Sequence, residues 1–296
     1  MSRNNSDRLG LGDETGPQSD GDPAAAIAQD SATGGLSFSM PTEWVELPSE
    51  GKFYAENHAL HNKETIEIKY MTAKEEDILT SPSLLKKNLT VERLLRSIII
   101  DKTIDPQHLL IGDRSAIIVA SRVTGYGSDY AAQVTCPSCM TRSTWSIDLT
   151  ELKTNTGGVE NADGYVVASS KKEGQYDITV PKTNITVTVR LMTGRDEMNL
   201  TEKTKKRKKH NLEESNLTDQ MKAMIVAVNG SRKADDVEKL VSFLPAFDSR
   251  YIRNAYNKIN PALDMKQDFE CSECDYEAEM EVPLTAEFFW PKGGAS

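Results

Sequence analysis

The hydrophobic pattern alternates at two places in the chain and then changes period in the same way each time. In Thr65–Lys69 the apolar Ile66 and Ile68 alternate with polar residues, and in Thr186–Arg190 Val187 and Val189 do the same. A period of two is the signature of a half-buried strand. Each run leads into Met-Thr, Met71-Thr72 or Met192-Thr193, and an acid follows the threonine by three residues, Glu75 or Asp196. That spacing predicts a capping box at the start of a helix. Helical spacing predicts further helices over 91–101 and 113–123, the second capped by Gly112-Asp113, and over 218–228, 235–243 and 248–259, the last ended by Asn260-Pro261. Strands are predicted over 130–135, 143–149, 269–270 and 276–282.

These elements repeat. Set over each other at an offset of 121, TIEIKYMTAKEEDIL (65–79) and TVTVRLMTGRDEMNL (186–200) are identical at five of 15 positions, where chance gives about one. At an offset of 135, Asp113 meets Asp248, Ile117 meets Ile252, Ala120 meets Ala255 and Asp129 meets Asp264. Cys136 and Cys139 likewise meet Cys271 and Cys274, and Leu149-Thr150 meets Leu284-Thr285. The growth of the offset places an insertion between Leu200 and Asp248. The expected class is α+β, an internal duplication of a strand–helices–zinc-knuckle unit behind a disordered N-terminal tail. The expected organisation is a tail over 1–40, a first repeat over 41–153, a linker over 154–175 and a second repeat over 176–291. The linker reading rests on its Gly, Asn and Ser content.

Composition supports the tail. Residues 1–40 hold six acidic and two basic residues, six of the 18 glycines and one aromatic, Phe38. Such a segment buries too little apolar surface to offset its ordering entropy. It also explains part of the low hydrophobic content, 38% over 296 residues. The net charge of −10 argues against general binding to nucleic acid or anionic membranes. No apolar run approaches the roughly 18 residues of a membrane span, and the start lacks the apolar core of a secretory signal.

The four cysteines fall as two CxxC pairs, Cys136/Cys139 and Cys271/Cys274, each between predicted strands. A CxxC turn at a hairpin tip aims both sulfurs at one point, and two such knuckles complete a tetrahedral thiolate site. One structural zinc site with four cysteine ligands, one knuckle coming from each repeat, is the expectation. A redox pair is a weaker reading, because it requires the first cysteine at a helix N-terminus and polar, β-prone residues follow both pairs here. Catalytic zinc needs an open position and commonly a histidine. His58, His61, His108 and His210 all lie far from either pair in sequence, and His58 and His61 read as surface loop residues. No catalytic motif is found, and the chain is not expected to be an enzyme.

Two features remain. The run 203–209 holds six basic residues in seven, read as a solvated helix face or inserted loop, with a contact to an acidic partner or nucleic acid as alternatives. Near the C-terminus Phe288-Phe289-Trp290 sets three aromatics together, expected to dock on the chain's own core.

Several of these pieces, in order, resemble one family. Leu47-Pro-Ser-Glu-Gly-Lys-Phe-Tyr54, the strand into Met71-Thr-Ala-Lys-Glu-Glu-Asp-Ile-Leu79, Gly112-Asp-Arg114, Tyr126-Gly127 and Phe288-Phe-Trp-Pro291 look like the baseplate hub assembly proteins of T4-like contractile-tailed phages. The resemblance covers about residues 41–291. It implies an assembly factor or minor hub component that acts by protein–protein contacts with other baseplate hub proteins. It implies a place in the host cytoplasm during assembly, or in the virion tail baseplate. The alternative is a zinc-knuckle nucleic-acid-binding protein using the 203–209 run.

Overall fold

The computed structural model describes residues 40–283 and 286–289, apart from 88, 173, 212 and 214. The tail expected to be disordered lies outside the described residues, except for Met40. The described residues pack as one compact unit. Its buried apolar residues form one contiguous core, running from Val45 to Phe289.

The chain opens with an antiparallel hairpin, β1 (Thr42–Glu46) against β2 (Thr65–Lys69), with Trp44 opposite Glu67. Val45, Ile66 and Ile68 face the core, as alternation requires. Four helices follow: α1 (Ala73–Thr80), α2 (Pro82–Lys87), α3 (Thr90–Ile98) and α4 (Ile111–Tyr126). Next come the β3 (Asp129–Thr135) and β4 (Arg142–Asp148) hairpin, then the short strands β5 (Thr154–Asn155) and β6 (Val167–Ser169). A second hairpin, β7 (Gln175–Thr179) and β8 (Thr186–Arg190), leads into α5 (Gly194–Lys209) and α6 (Asn216–Met224). The strand β9 (Ile225–Val228) and the helices α7 (Ala234–Phe243) and α8 (Ala246–Ile259) complete the middle. The strand β10 (Ala262–Leu263), the β11 (Lys266–Glu270) and β12 (Glu277–Glu281) hairpin and a 3-10 turn over Ala286–Phe289 close the described chain. The largest sheet has the order β6-β7-β8-β9.

Both predicted capping boxes are present. The Thr72 hydroxyl and amide both donate to Glu75, and the Thr193 hydroxyl and amide both donate to Asp196. In each case the last residue of the preceding strand adds a cation, Lys69 to Glu75 and Arg190 to Asp196.

Glu75 gives a first prediction. Its side chain is fully buried. Burial raises its pKa, but hydrogen bonds from Lys69, Ser97 and Thr72 outweigh that and bring it down to about 2. A depressed carboxyl contributes stability above its unfolded value and loses it as pH falls through the folded value. A Glu75→Gln variant should therefore trail the wild type by ~3 kcal/mol at pH 7, with the gap closing between about pH 5 and pH 2. Urea titrations across that range check it.

Three expectations change. Gly112-Asp113 does not cap α4. The N-cap is Leu110, and Asp113 sits inside the first turn with its carboxylate engaged by Ser49 and Tyr54. Gly112 serves close packing instead, because a Cβ there would lie 1.9 Å from the Pro261 carbonyl oxygen. The helix expected over 218–228 stops at Met224, and Ile225–Val228 joins the sheet beside β8. Pairing with Val187, Thr188 and Val189 overrides the helical spacing, and Ile-Val-Ala-Val suits a strand. Residues 154–175, polar enough to read as a linker, carry β5, a 3-10 turn and β6. Their polar groups are used: Asn155 Nδ2 donates to the carbonyls of Asn257, Lys258 and Asn260 at the end of α8.

The basic run 203–209 forms the last turns of α5, where its cations complement the helix dipole. Arg207 pairs with Asp219, and Lys205 donates to the Lys86 carbonyl. Among the described residues no helix is long and apolar enough to cross a membrane.

Candidate metal centre

The site is built from two hairpins. In β3–β4 the residues Tyr130, Ala132, Val134, Trp145 and Ile147 face inward, and in β11–β12 Phe269 does. The Trp145 and Phe269 rings meet edge to face at 5.7 Å, and the Trp145 indole N–H donates to the Asp268 carbonyl at 3.2 Å. These contacts hold one hairpin against the other, so their turns share one end of the pair.

Each turn carries a CxxC. In the first, the Cys136 amide donates to the Thr141 carbonyl at 2.9 Å and the Met140 amide to the Cys136 carbonyl at 3.0 Å. In the second, the Cys271 amide donates to the Tyr276 carbonyl at 2.9 Å. The residue after the second cysteine has positive φ in both, Met140 at 60° and Asp275 at 52°. A left-handed residue there folds the second sulfur back toward the first. Asp takes this conformation readily, whereas for Met it costs about 1 kcal/mol. The Ser138 amide also points at the Cys136 sulfur, at 3.4 Å.

The structure brings all four predicted cysteines together. Their sulfurs lie within 4.8 Å of one another. The close approaches cross between hairpins, Cys136 to Cys274 at 3.8 Å and Cys139 to Cys271 at 3.8 Å. All four are free thiols, and 3.8 Å is far beyond the roughly 2.05 Å of a disulfide. It is, however, the edge of a zinc tetrahedron: Zn–S bonds of about 2.3 Å set sulfurs about 3.8 Å apart. Cys136 and Cys271 are buried, while Cys139 and Cys274 are exposed. The donor set and spacing fit a four-coordinate thiolate site closed by protein. No histidine or carboxylate joins the cluster among the described residues.

The thiols differ electrostatically. Hydrogen bonds from the Thr141 hydroxyl and amide lower the Cys139 pKa. Desolvation and the neighbouring sulfurs push Cys274 up to about 12. Four thiolates this close repel, and a cation at their centre removes the conflict. Both pairs sit in hairpin turns and neither at a helix N-terminus, so the helix dipole that activates redox CxxC pairs is not available.

The other sequence candidates lie elsewhere. His58 stacks on the Tyr54 ring at 4.4 Å, and His61 Nδ1 lies 2.7 Å from the Tyr54 carbonyl oxygen. Phe288 and Phe289 are buried, as docking requires, with Phe288 edge to face on Tyr130 at 5.1 Å. Arg122, itself buried, donates through Nε to the Phe288 carbonyl at 2.7 Å. Trp290 and Pro291 lie outside the described residues. Sequence reasoning missed the roles of Met140, Asp275 and Thr141, since glycine is the usual marker of a positive-φ turn.

Comparison with known proteins adds one match. No curated protein and no solved structure matches the chain significantly. A family model described as T4 bacteriophage base plate protein matches residues 40–290. That span takes in every described element, from the Trp44 hairpin through both cysteine turns to Phe289, and the chain therefore belongs to the T4 bacteriophage base plate protein family.

Proposed function

We propose that the protein is a baseplate hub assembly protein or minor hub component that works by contact with other hub proteins, and that one structural zinc held by Cys136, Cys139, Cys271 and Cys274 fixes its shape. The convergence of four thiols from hairpins more than a hundred residues apart carries the reading, because zinc there would pin the turn of the mid-chain β3–β4 hairpin to the turn of the β11–β12 hairpin that packs on it. Family membership supplies the setting. The order of motifs shared with hub assembly proteins, from Leu47-Pro-Ser to Phe288-Phe-Trp-Pro, supplies the finer assignment.

We further infer that the fold arose by duplication. Beyond the cysteines, three contacts recur at matched positions. The capping boxes recur with their strand-end cations, Lys69 and Arg190. Asp113 in the first turn of α4 accepts from the Ser49 amide and hydroxyl, and Asp248 in the first turn of α8 accepts from the Lys182 and Thr183 amides and the Thr183 hydroxyl. Both acceptors hold the segment just after a Pro, Pro48 or Pro181.

Metal analysis of purified protein should give about one zinc per chain. Deletion of the gene should stop tails before a complete baseplate forms, as electron microscopy of infected-cell lysates would show. Complete tails and infectious particles without the gene would end the assembly reading, and protein purified without chelator that carries no zinc and takes none up when it is added would end the zinc reading.

A further inference from the structure

The two strand hairpins that resemble each other differ on one side. β7 is hydrogen-bonded on both edges, to β8 and to β6. Its outward groups are those of Gln175, Asp177 and Thr179: the Thr179 amide donates to the Val166 carbonyl, and the Gln175 carbonyl accepts from the Ser170 amide. β1 takes the same place in its own hairpin, because Trp44 pairs with Glu67 as Asp177 pairs with Thr188, and Glu67 and Thr188 match at the 121-residue offset. The ladder to β2 is closed by Tyr70 amide to Pro41 carbonyl and Leu47 amide to Glu64 carbonyl. By antiparallel alternation the backbone groups of Thr42, Trp44 and Glu46 therefore point away from β2. No described strand pairs with that edge.

An open edge of this kind is normally blunted with lysine, a bulge or an inward charge. Here one such charge is present, Glu43 on the inner face, and it is engaged by the Thr124 hydroxyl; the outer face presents Trp44, 66% exposed, at the centre of the edge. Beside Trp44 on the same face stand Glu46 and Glu67, while the one lysine of that face, Lys69, is spent on Glu75.

We propose that the outer edge of β1 binds an extended basic segment of another protein chain, which adds as a third, antiparallel strand. Backbone hydrogen bonds to Thr42, Trp44 and Glu46 hold it, an apolar residue or a lysine stem covers Trp44, and Lys or Arg side chains meet Glu46 and Glu67. Pro41 and Pro48 bound the window to this short strand. Charge selects the occupant. The chain's own residues 1–39 are net acidic and repel Glu46 and Glu67. A second copy paired through β1 would bring two sets of Glu43 and Glu46 together. Naming the occupant as another baseplate component rests on the function proposed above; the site itself does not.

The test uses the full chain and two synthetic nine-residue probes, one alternating Lys and Val and one alternating Glu and Val. The Lys-Val peptide should slow hydrogen exchange at the Thr42, Trp44 and Glu46 amides about tenfold or more at low salt, and the Glu-Val peptide should bind about tenfold more weakly or worse. Trp44→Pro removes an outward N–H and leaves the β1–β2 ladder intact. It should abolish the protection while the thermal midpoint stays within a few degrees of wild type. Three results would overturn the proposal: no protection by either peptide, equal protection by both, or amides already protected in the free chain. In the last case, release on removal of residues 1–35 would identify the tail as occupant, and release on dilution a second copy. Tail assembly without the gene would refute the baseplate reading and leave these binding results unaffected.

Discussion

Replacing Cys271 by serine is expected to empty the proposed zinc site and to lower the thermal midpoint by about 10–20 °C. A neutral serine hydroxyl is a poor zinc ligand, and three remaining thiols leave the tetrahedron open. Structural zinc binds with an apparent ~10–16 kcal/mol in small domains, and part of that is folding free energy wherever the site forms only in the folded state. This chain has a large core of its own away from the cysteines, so a loss of about 5 kcal/mol is expected rather than complete unfolding. At ~2–4 °C per kcal/mol for a chain of this size, that gives the stated drop. The loss should be local. Amides of β3, β4, β11 and β12 should exchange faster, while those of β8 and β9 keep their protection. Chelation of the wild type should reproduce the pattern, and calorimetry with metal analysis reads both. A Cys271→Ser protein that melts with the wild type would show that Trp145 and Phe269 alone hold the hairpins together.

The four cysteines were legible because CxxC between strands has few physical uses, and because the repeat paired two turns too distant for a zinc ribbon. The capping boxes were legible for a similar reason: Thr72 and Glu75, or Thr193 and Asp196, complete their motif within four residues. What depended on distant partners was not. Nothing near Ile225 says that Val187 and Val189 wait beside it, so its apolar run read as the end of a helix. Gly112-Asp113 has the composition of a cap, yet its partners are Pro261, Ser49 and Tyr54, brought in by the fold. The 154–175 stretch is polar because it binds backbone, Asn155 on the end of α8 above all. The open edge of β1 was invisible for the opposite reason. An unpaired strand and a paired one share the same alternation, and the absence of a neighbour leaves no mark on the sequence.

Asp113→Ala is expected to cost about 4 kcal/mol although Asp113 touches neither metal nor partner surface. Its carboxylate is fully buried and accepts from the Ser49 amide at 3.0 Å, the Ser49 hydroxyl at 2.6 Å and the Tyr54 hydroxyl at 2.6 Å. The Tyr54 oxygen in turn accepts from the Leu110 amide at 3.0 Å. Alanine leaves three donors without acceptors, each costing ~1–3 kcal/mol when buried, partly relieved by local relaxation. Asp113→Asn keeps one acceptor oxygen but turns an NH2 toward a donor, and about 2 kcal/mol is expected. The pH dependence separates this residue from its counterpart. Burial raises the Asp113 pKa, and the hydrogen bonds from Ser49 and Tyr54 only partly offset it. The folded state then holds that proton longer than the unfolded chain, so its ionisation erodes stability as pH rises from the unfolded range near 3.9 through the raised value. For Asp248, burial is outweighed by hydrogen bonds from Thr183 and Lys182, and the pKa falls. Its stabilisation is full above the unfolded range and disappears as pH drops. The cost of Asp113→Asn should therefore shrink as pH rises, and the cost of Asp248→Asn should grow. Urea midpoints of the two variants and the wild type between about pH 3 and pH 7 decide it, and parallel slopes would show that both carboxylates sit in equivalent electrostatic surroundings.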